Sequence, residues 1–138
     1  MRDVWQSVNQ NIPEILDTYK TVAVVGLSPK MHRPSHSVAA YLAEVGFEII
    51  PVNPGHSEIM GLTCYPSLAQ IPEPVEIVDI FRRSEKVLSV IQAAIEIGAK
   101  VVWMQSGIVN EEAAALALDA GLQVVMDACM KIEHAYLR

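Results

Sequence analysis

Five short apolar runs recur along the chain, and glycine-closed helical patterns separate most of them. The runs are TVAVVG (21–26), FEIIPV (47–52), EIVDIF (76–81), KVVWM (100–104) and LQVVM (122–126). Each is rich in β-branched residues and lacks the polar alternation of a strand with one wet face, which predicts strands buried on both faces. Between them, Val38, Tyr41, Leu42 and Val45 repeat at i, i+3, i+4, i+7 and stop at Gly46. Val87, Leu88, Ile91 and Ile95 repeat between a Ser84 cap and Gly98, and Ala113, Leu116, Ala117 and Ala120 run from Asn110 to Gly121. Strands of this kind alternating with helices imply an α/β fold: a Rossmann-like, doubly wound parallel sheet of five to six strands.

The connection from Val52 to Val75 has no long helical pattern. Its prolines (54, 66, 72 and 74) suggest a loop, a short edge strand near Thr63 to Tyr65 and one helical turn near Ser67 to Gln70. With that edge strand counted third, the expected strand order is 3-2-1-4-5-6, which makes EIVDIF the neighbour of TVAVVG across the point where such sheets bind ligands. Residues 1–20 read as a helical extension, with Ile12, Ile15, Leu16 and Tyr19 on one face and Asn11 at the cap position. The tail from Cys129 reads as a last helix. All 138 residues fit one domain.

Composition narrows the function classes. The apolar runs are too short to span a bilayer, and MRDVWQSVNQ lacks the apolar stretch of a signal peptide. Cys64 and Cys129 form no CxxC pair, so neither a zinc site nor a redox motif is indicated. The expectation is a cytoplasmic protein with reduced thiols and no membrane association. A net charge of −6 argues against nucleic-acid binding. Yet no acid lies between Thr18 and Ala43, where Lys20, Lys30, His32, Arg33 and His36 fall. Arg82, Arg83 and Lys86 form a second basic group after a later strand. In the expected strand order both groups flank one crevice, as a small anionic ligand requires.

The strand ending at Gly26 leads through a short loop into a helical pattern that starts at Ser35. This arrangement places phosphate on a helix N-terminus. Against the G-x-G-x-x-G fingerprint, the first glycine is present, but Ser28 and Met31 replace the second and third. Ser28 offers a hydroxyl and a backbone N–H instead. The second strand ends Pro51-Val52-Asn53-Pro54, without the acid that nicotinamide sites use to hold a ribose. Arg33 could serve a 2′-phosphate, so an NADP reading stays open.

The segments VVGLSPKMHRPSHSVAAYL (24–42), GFEIIPVNPGHSEIMGLTCYPSL (46–68), VDIFRRSE (78–85), KVVWMQSGIVNEEAA (100–114) and DACMKIEH (127–134) resemble the stand-alone coenzyme A-binding proteins of Rossmann type. These are related to the CoA-binding domain of the succinyl-CoA synthetase α subunit. The resemblance covers nearly the whole chain. It departs at Ala128, where a basic residue is expected, and this leaves the role of that corner open. It implies CoA or an acyl-CoA as ligand. Gly26, Leu27 and Ser28 would cradle the pyrophosphate, and Lys30 and Arg33 would neutralise phosphate charge. Val52, Asn53 and Pro54 would lie against the adenine, Phe81 and Arg82 along the pantetheine arm, and Gln105 and Ser106 near the thiol, beside Met104 and Gly107.

No catalytic residue is indicated. Ser106 lacks the flanking glycines of a nucleophile elbow, and His32 and His36, four residues apart, have no Glu between them to suggest a metalloprotease-type metal site. Cys129 reads as a small buried thiol. Two other readings remain: an NAD(P)-dependent oxidoreductase, and a regulatory or interaction module. A homo-oligomer and a partner protein both stay open.

Overall fold

The computed structural model describes residues 3–137 and turns all five apolar runs into strands. In chain order the strands are β1 (Thr21–Val25), β2 (Glu48–Val52), β3 (Glu58–Ile59), β4 (Leu62–Thr63), β5 (Ile77–Ile80), β6 (Val101–Met104) and β7 (Gln123–Val125). The helices are α1 (Ile12–Thr18), α2 (Pro34–Glu44), α3 (Val87–Glu96), α4 (Glu111–Asp119) and α5 (Met130–Tyr136). Five strands form one parallel sheet in the order β2-β1-β5-β6-β7. The chain leaves β1 for β2 on one side and returns to β5 on the other, so the turn of direction lies at the carboxyl ends of β1 and β5.

Two-residue alternation divides each strand between two cores. Val22, Val24, Ile77, Val101, Trp103 and Val125 pack with α1, α2 and α5. Ala23, Val25, Val78, Ile80, Val102 and Met104 pack with α3 and α4 on the opposite face. This two-sided burial is why the strands read as continuous apolar runs.

The expected third strand is reduced to a single contact. Leu62–Thr63 pairs antiparallel with Glu58–Ile59 in a separate hairpin, and only Tyr65 meets β2, through a parallel bridge to Val52. Asn53 N–H donates to Tyr65 O at 2.9 Å and Tyr65 N–H to Pro51 O at 3.0 Å. The ladder goes no further, because the chain turns at Ser67 into the 3-10 turn Leu68–Gln70. Pro51 is tolerated within β2 because it lies on an edge strand, where a missing N–H costs little.

Helix starts also differ in detail. Pro34 begins α2 as its first residue, with Arg33 at the N-cap, so it nucleates the helix instead of breaking it. Ser84 opens a single 3-10 turn before α3, and its Oγ accepts from Val109 N–H at 3.1 Å. It ties two loops together and caps no helix. Asn110 caps α4 through Ala113 N–H at 2.9 Å, whereas Asn11 makes no side-chain cap bond.

The N-terminal extension contributes more than α1. Asn9, at φ 60°, lies along the outer edge of β7. Its N–H donates to Val124 O at 2.9 Å, its Nδ2 to Met126 O at 3.1 Å, and its Oδ1 accepts from Met126 N–H at 2.7 Å. Val4 and Val8 are buried beside it. Among the described residues, no helix is long and apolar enough to cross a membrane.

Candidate functional site

An open crevice of about 760 Å³ lies where the sheet changes direction, outside the carboxyl ends of its central strands. The loop after β1 contributes Gly26, Ser28, Lys30 and Arg33, and the loop after β2 contributes Asn53 and His56. Phe81 to Glu85 follow β5, and Ser106 to Ile108 follow β6, to complete the walls. Lys30 and Arg33 of the first basic group and Arg82 and Arg83 of the second thus face one space, whereas Lys20 lies elsewhere, its Nζ donating to Leu16 O and standing over the Phe47 ring.

Gly26 holds the floor for two reasons. Its φ of +88° suits glycine, and a Cβ there would lie 2.4 Å from the Phe81 carbonyl oxygen and 3.3 Å from Arg82 Cδ. The missing side chain therefore lets the loop after β5 close against the turn after β1. The next turn is held by local hydrogen bonds. Ser28 N–H donates to Ser35 Oγ at 3.0 Å, and Ser28 Oγ accepts from Lys30 N–H at 3.1 Å. The Ser28 N–H expected to face an anion is engaged within the loop, and its hydroxyl proton is the group left to turn outward. Ser28 O lies 3.0 Å from His36 Nδ1. A carbonyl only accepts, so Nδ1 carries the hydrogen of this contact and holds the His36 ring against the Ser28 turn. Arg33, at the start of α2, adds its guanidinium to the positive end of an 11-residue helix.

Asn53 holds two loops together: Nδ2 donates to Leu27 O at 3.0 Å and Oδ1 accepts from Gly55 N–H at 2.9 Å. One amide hydrogen and one lone pair remain for other partners. The crevice carries four cationic side chains, Lys30, Arg33, Arg82 and Arg83, and one acid, Glu85. Glu85 stands 3.6 Å from Arg83 Nε, and both side chains are largely exposed, so the pair contributes little. An acidic chain thus keeps one cationic hollow.

Behind Arg82 lies a second, apolar slot of about 180 Å³, lined by Val25, Val52, Pro54, Leu68, Val90 and Ala93 among others. Arg82 borders both spaces.

Of the residues expected at a ligand, Gly26, Ser28, Lys30, Arg33, Asn53, Phe81, Arg82 and Ser106 line the crevice. Four do not. Leu27 is fully buried in the core under α2, because its position after the turn points the side chain back at the sheet. Val52 and Pro54 border the apolar slot. Gln105 is only 3% exposed and donates through Nε2 to Asp79 Oδ1 at 2.5 Å. His56 and Ser35 were not anticipated. His56 follows a Pro-Gly turn and carries no periodic signal, while Ser35 reads as an ordinary first-turn serine until its Oγ is seen to hold Ser28.

Asp79 was missed too, although an acid inside the run EIVDIF is a visible anomaly. It is fully buried, and its Oδ2 has no hydrogen-bond partner. Burial lifts its pKa from 3.8 to about 7, against the opposing pull of the Gln105 hydrogen bond. Cys64 is buried beside Asn53 and its thiol is pushed up by burial, so it stays protonated. Cys129, expected to be a buried thiol, is only partly buried at the N-cap of α5, outside the crevice. No group of three His, Cys, Asp or Glu among the described residues could hold a metal ion.

Comparisons with known proteins agree on one family. Residues 20–135 match the model of a CoA binding domain. The uncharacterized protein YneT of Bacillus subtilis is 45% identical over 124 residues, spanning 90% of this chain and 92% of that protein. An ADP-forming acetate–CoA ligase of Archaeoglobus fulgidus is 33% identical over 105 residues, which is 73% of this chain but only 16% of the ligase. A solved structure of a hypothetical protein from Pyrococcus horikoshii OT3 superposes with a TM-score of 0.92 at 42% identity, covering 99% of this chain and 96% of that one.

Proposed function

Because this chain belongs to the CoA-binding domain family, we propose that it binds coenzyme A or an acyl-CoA in the crevice between Gly26 and Arg82, without turning it over. The observation that carries this reading is the meeting of the Gly26 turn, at the N-terminus of α2, with Arg82 and Arg83 from the next strand. CoA has a pyrophosphate and a separate ribose 3′-phosphate, so it needs positive charge at two points. Ser28, Lys30 and the start of α2 suit one phosphate group, and Arg33 with the arginines after β5 suits the other. The apolar slot edged by Val52 and Pro54 suits the purine, with Arg82 against its face. Phe81 and Ser106 then flank the pantetheine arm.

Leu27 and Asn53 serve this site by holding the loops after β1 and β2 together, through the hydrogen bond between Asn53 Nδ2 and Leu27 O. One relative is named a CoA ligase, but this chain spans about a sixth of it. The proposal therefore extends to binding and not to ligation.

Thermal melting tests it. CoA at about 100 times its dissociation constant should add roughly 2.7 kcal/mol, a shift of a few degrees for a domain this size. No shift with CoA beside a clear shift with NADPH would overturn the proposal in favour of a nicotinamide site.

A further inference from the structure

Asp79 occupies the middle of the sheet, opposite Val24 of β1 and Trp103 of β6. An apolar residue would pack there without the desolvation cost of a carboxyl group. Its one hydrogen-bond partner is Gln105, which sits where β6 ends and the crevice wall begins. Gln105 joins three parts of the fold. Its Nε2 holds Asp79 of β5, and its Oε1 accepts from Met130 N–H at the start of α5 in a longer contact of 3.4 Å. Its carbonyl accepts from Ile108 N–H at 2.9 Å, closing the turn that carries Ser106 and Gly107. Gly107 N–H is in turn fixed by Asp127 Oδ1 at 2.7 Å. Two residues beyond Asp79 on its own strand, Phe81 begins the facing wall.

Neither Asp79 nor Gln105 lines the crevice, so neither is placed to touch a ligand. We propose that they are positioning residues: the buried carboxyl–amide contact sets the Ser106–Ile108 wall against the Phe81–Arg83 wall, and through that spacing sets coenzyme affinity. The raised pKa of Asp79 is consistent with this role, since near neutral pH the unpartnered Oδ2 is not held as a full buried charge. The inference rests on the crevice being the coenzyme site, and its test separates the two claims.

The test compares Asp79→Leu, Asp79→Asn and the unaltered protein, by CoA calorimetry well below the melting temperatures and by amide hydrogen exchange without ligand. Asp79→Leu should weaken CoA about tenfold or more, the effect of losing one buried hydrogen bond, and should speed exchange at Gly107 and Ile108. Asp79→Asn keeps an acceptor for Gln105 Nε2 and should stay within about threefold of the unaltered protein. A folded Asp79→Leu with unchanged affinity or unchanged exchange would overturn the proposal. If Asp79→Leu does not fold, Gln105→Met carries the same two measurements. If the unaltered protein itself fails to bind CoA, the ligand assignment falls, and exchange at Gly107 and Ile108 still decides the positioning claim.

Discussion

Arg33 and Asp79 show how differently two charged residues can bear on the same crevice. Arg33 stands at the mouth, at the N-cap of α2, where its guanidinium can grip a phosphate with two parallel bonds. If it holds the 3′-phosphate, Arg33→Ala should weaken CoA about tenfold or more and leave dephospho-CoA nearly unaffected. Equal losses in calorimetry would move Arg33 to the pyrophosphate. Asp79 acts from inside. The unfolded chain loses the Asp79 proton near its ordinary value of 3.8, and the folded protein keeps it until about 7. Between those values the unfolded state holds fewer protons, so the Asp79 contribution to stability is full below the lower value and is lost as pH rises through the upper one. Chemical denaturation across this window should therefore show Asp79→Asn gaining on the unaltered protein as pH increases. A constant difference between the two would mean that Asp79 is already ionised in the fold. The Asp79 anomaly was legible in EIVDIF; its partner was not, because Gln105 lies 26 positions away.

Secondary-structure elements were legible where periodicity was strong, and the connections were legible only in part. The cores of α2, α3 and α4 follow the apolar repeats and their closing glycines, because a helix stripe and a left-handed C-terminal residue both leave local marks. The third strand was overread, since the residues near Thr63 carry no sign that Leu62–Thr63 would pair with Glu58–Ile59 and leave β2 a single bridge at Tyr65. The Asn9 contact with β7 was invisible, for its partners are more than a hundred residues away. That contact covers an edge which would otherwise offer unpaired groups to another chain. Asn9→Ala should cost about 1–3 kcal/mol through the lost bonds and the left-handed backbone, and urea midpoints measure it. A change well below that range would mean that water replaces the side chain at no cost.

The whole molecule combines a net charge of −6 with one hollow walled by four cations. Attraction of a polyanion into that hollow is screened over about 10 Å at 0.1 M salt. The CoA dissociation constant should therefore rise several-fold from low to high salt, roughly 20 to 500 mM sodium chloride. A salt-independent value would show that these cations do not neutralise the phosphates. The α/β class, the five main strands and the charge segregation were written in local patterns, since burial on two faces and helix closure constrain neighbouring residues. The division of Gly26, Arg33 and Arg82 to the crevice, Val52 and Pro54 to the slot, and Leu27 and Gln105 to the interior was not. It depends on contacts such as Gly26 against Phe81 and Gln105 against Asp79, made between segments that meet only once the sheet has assembled.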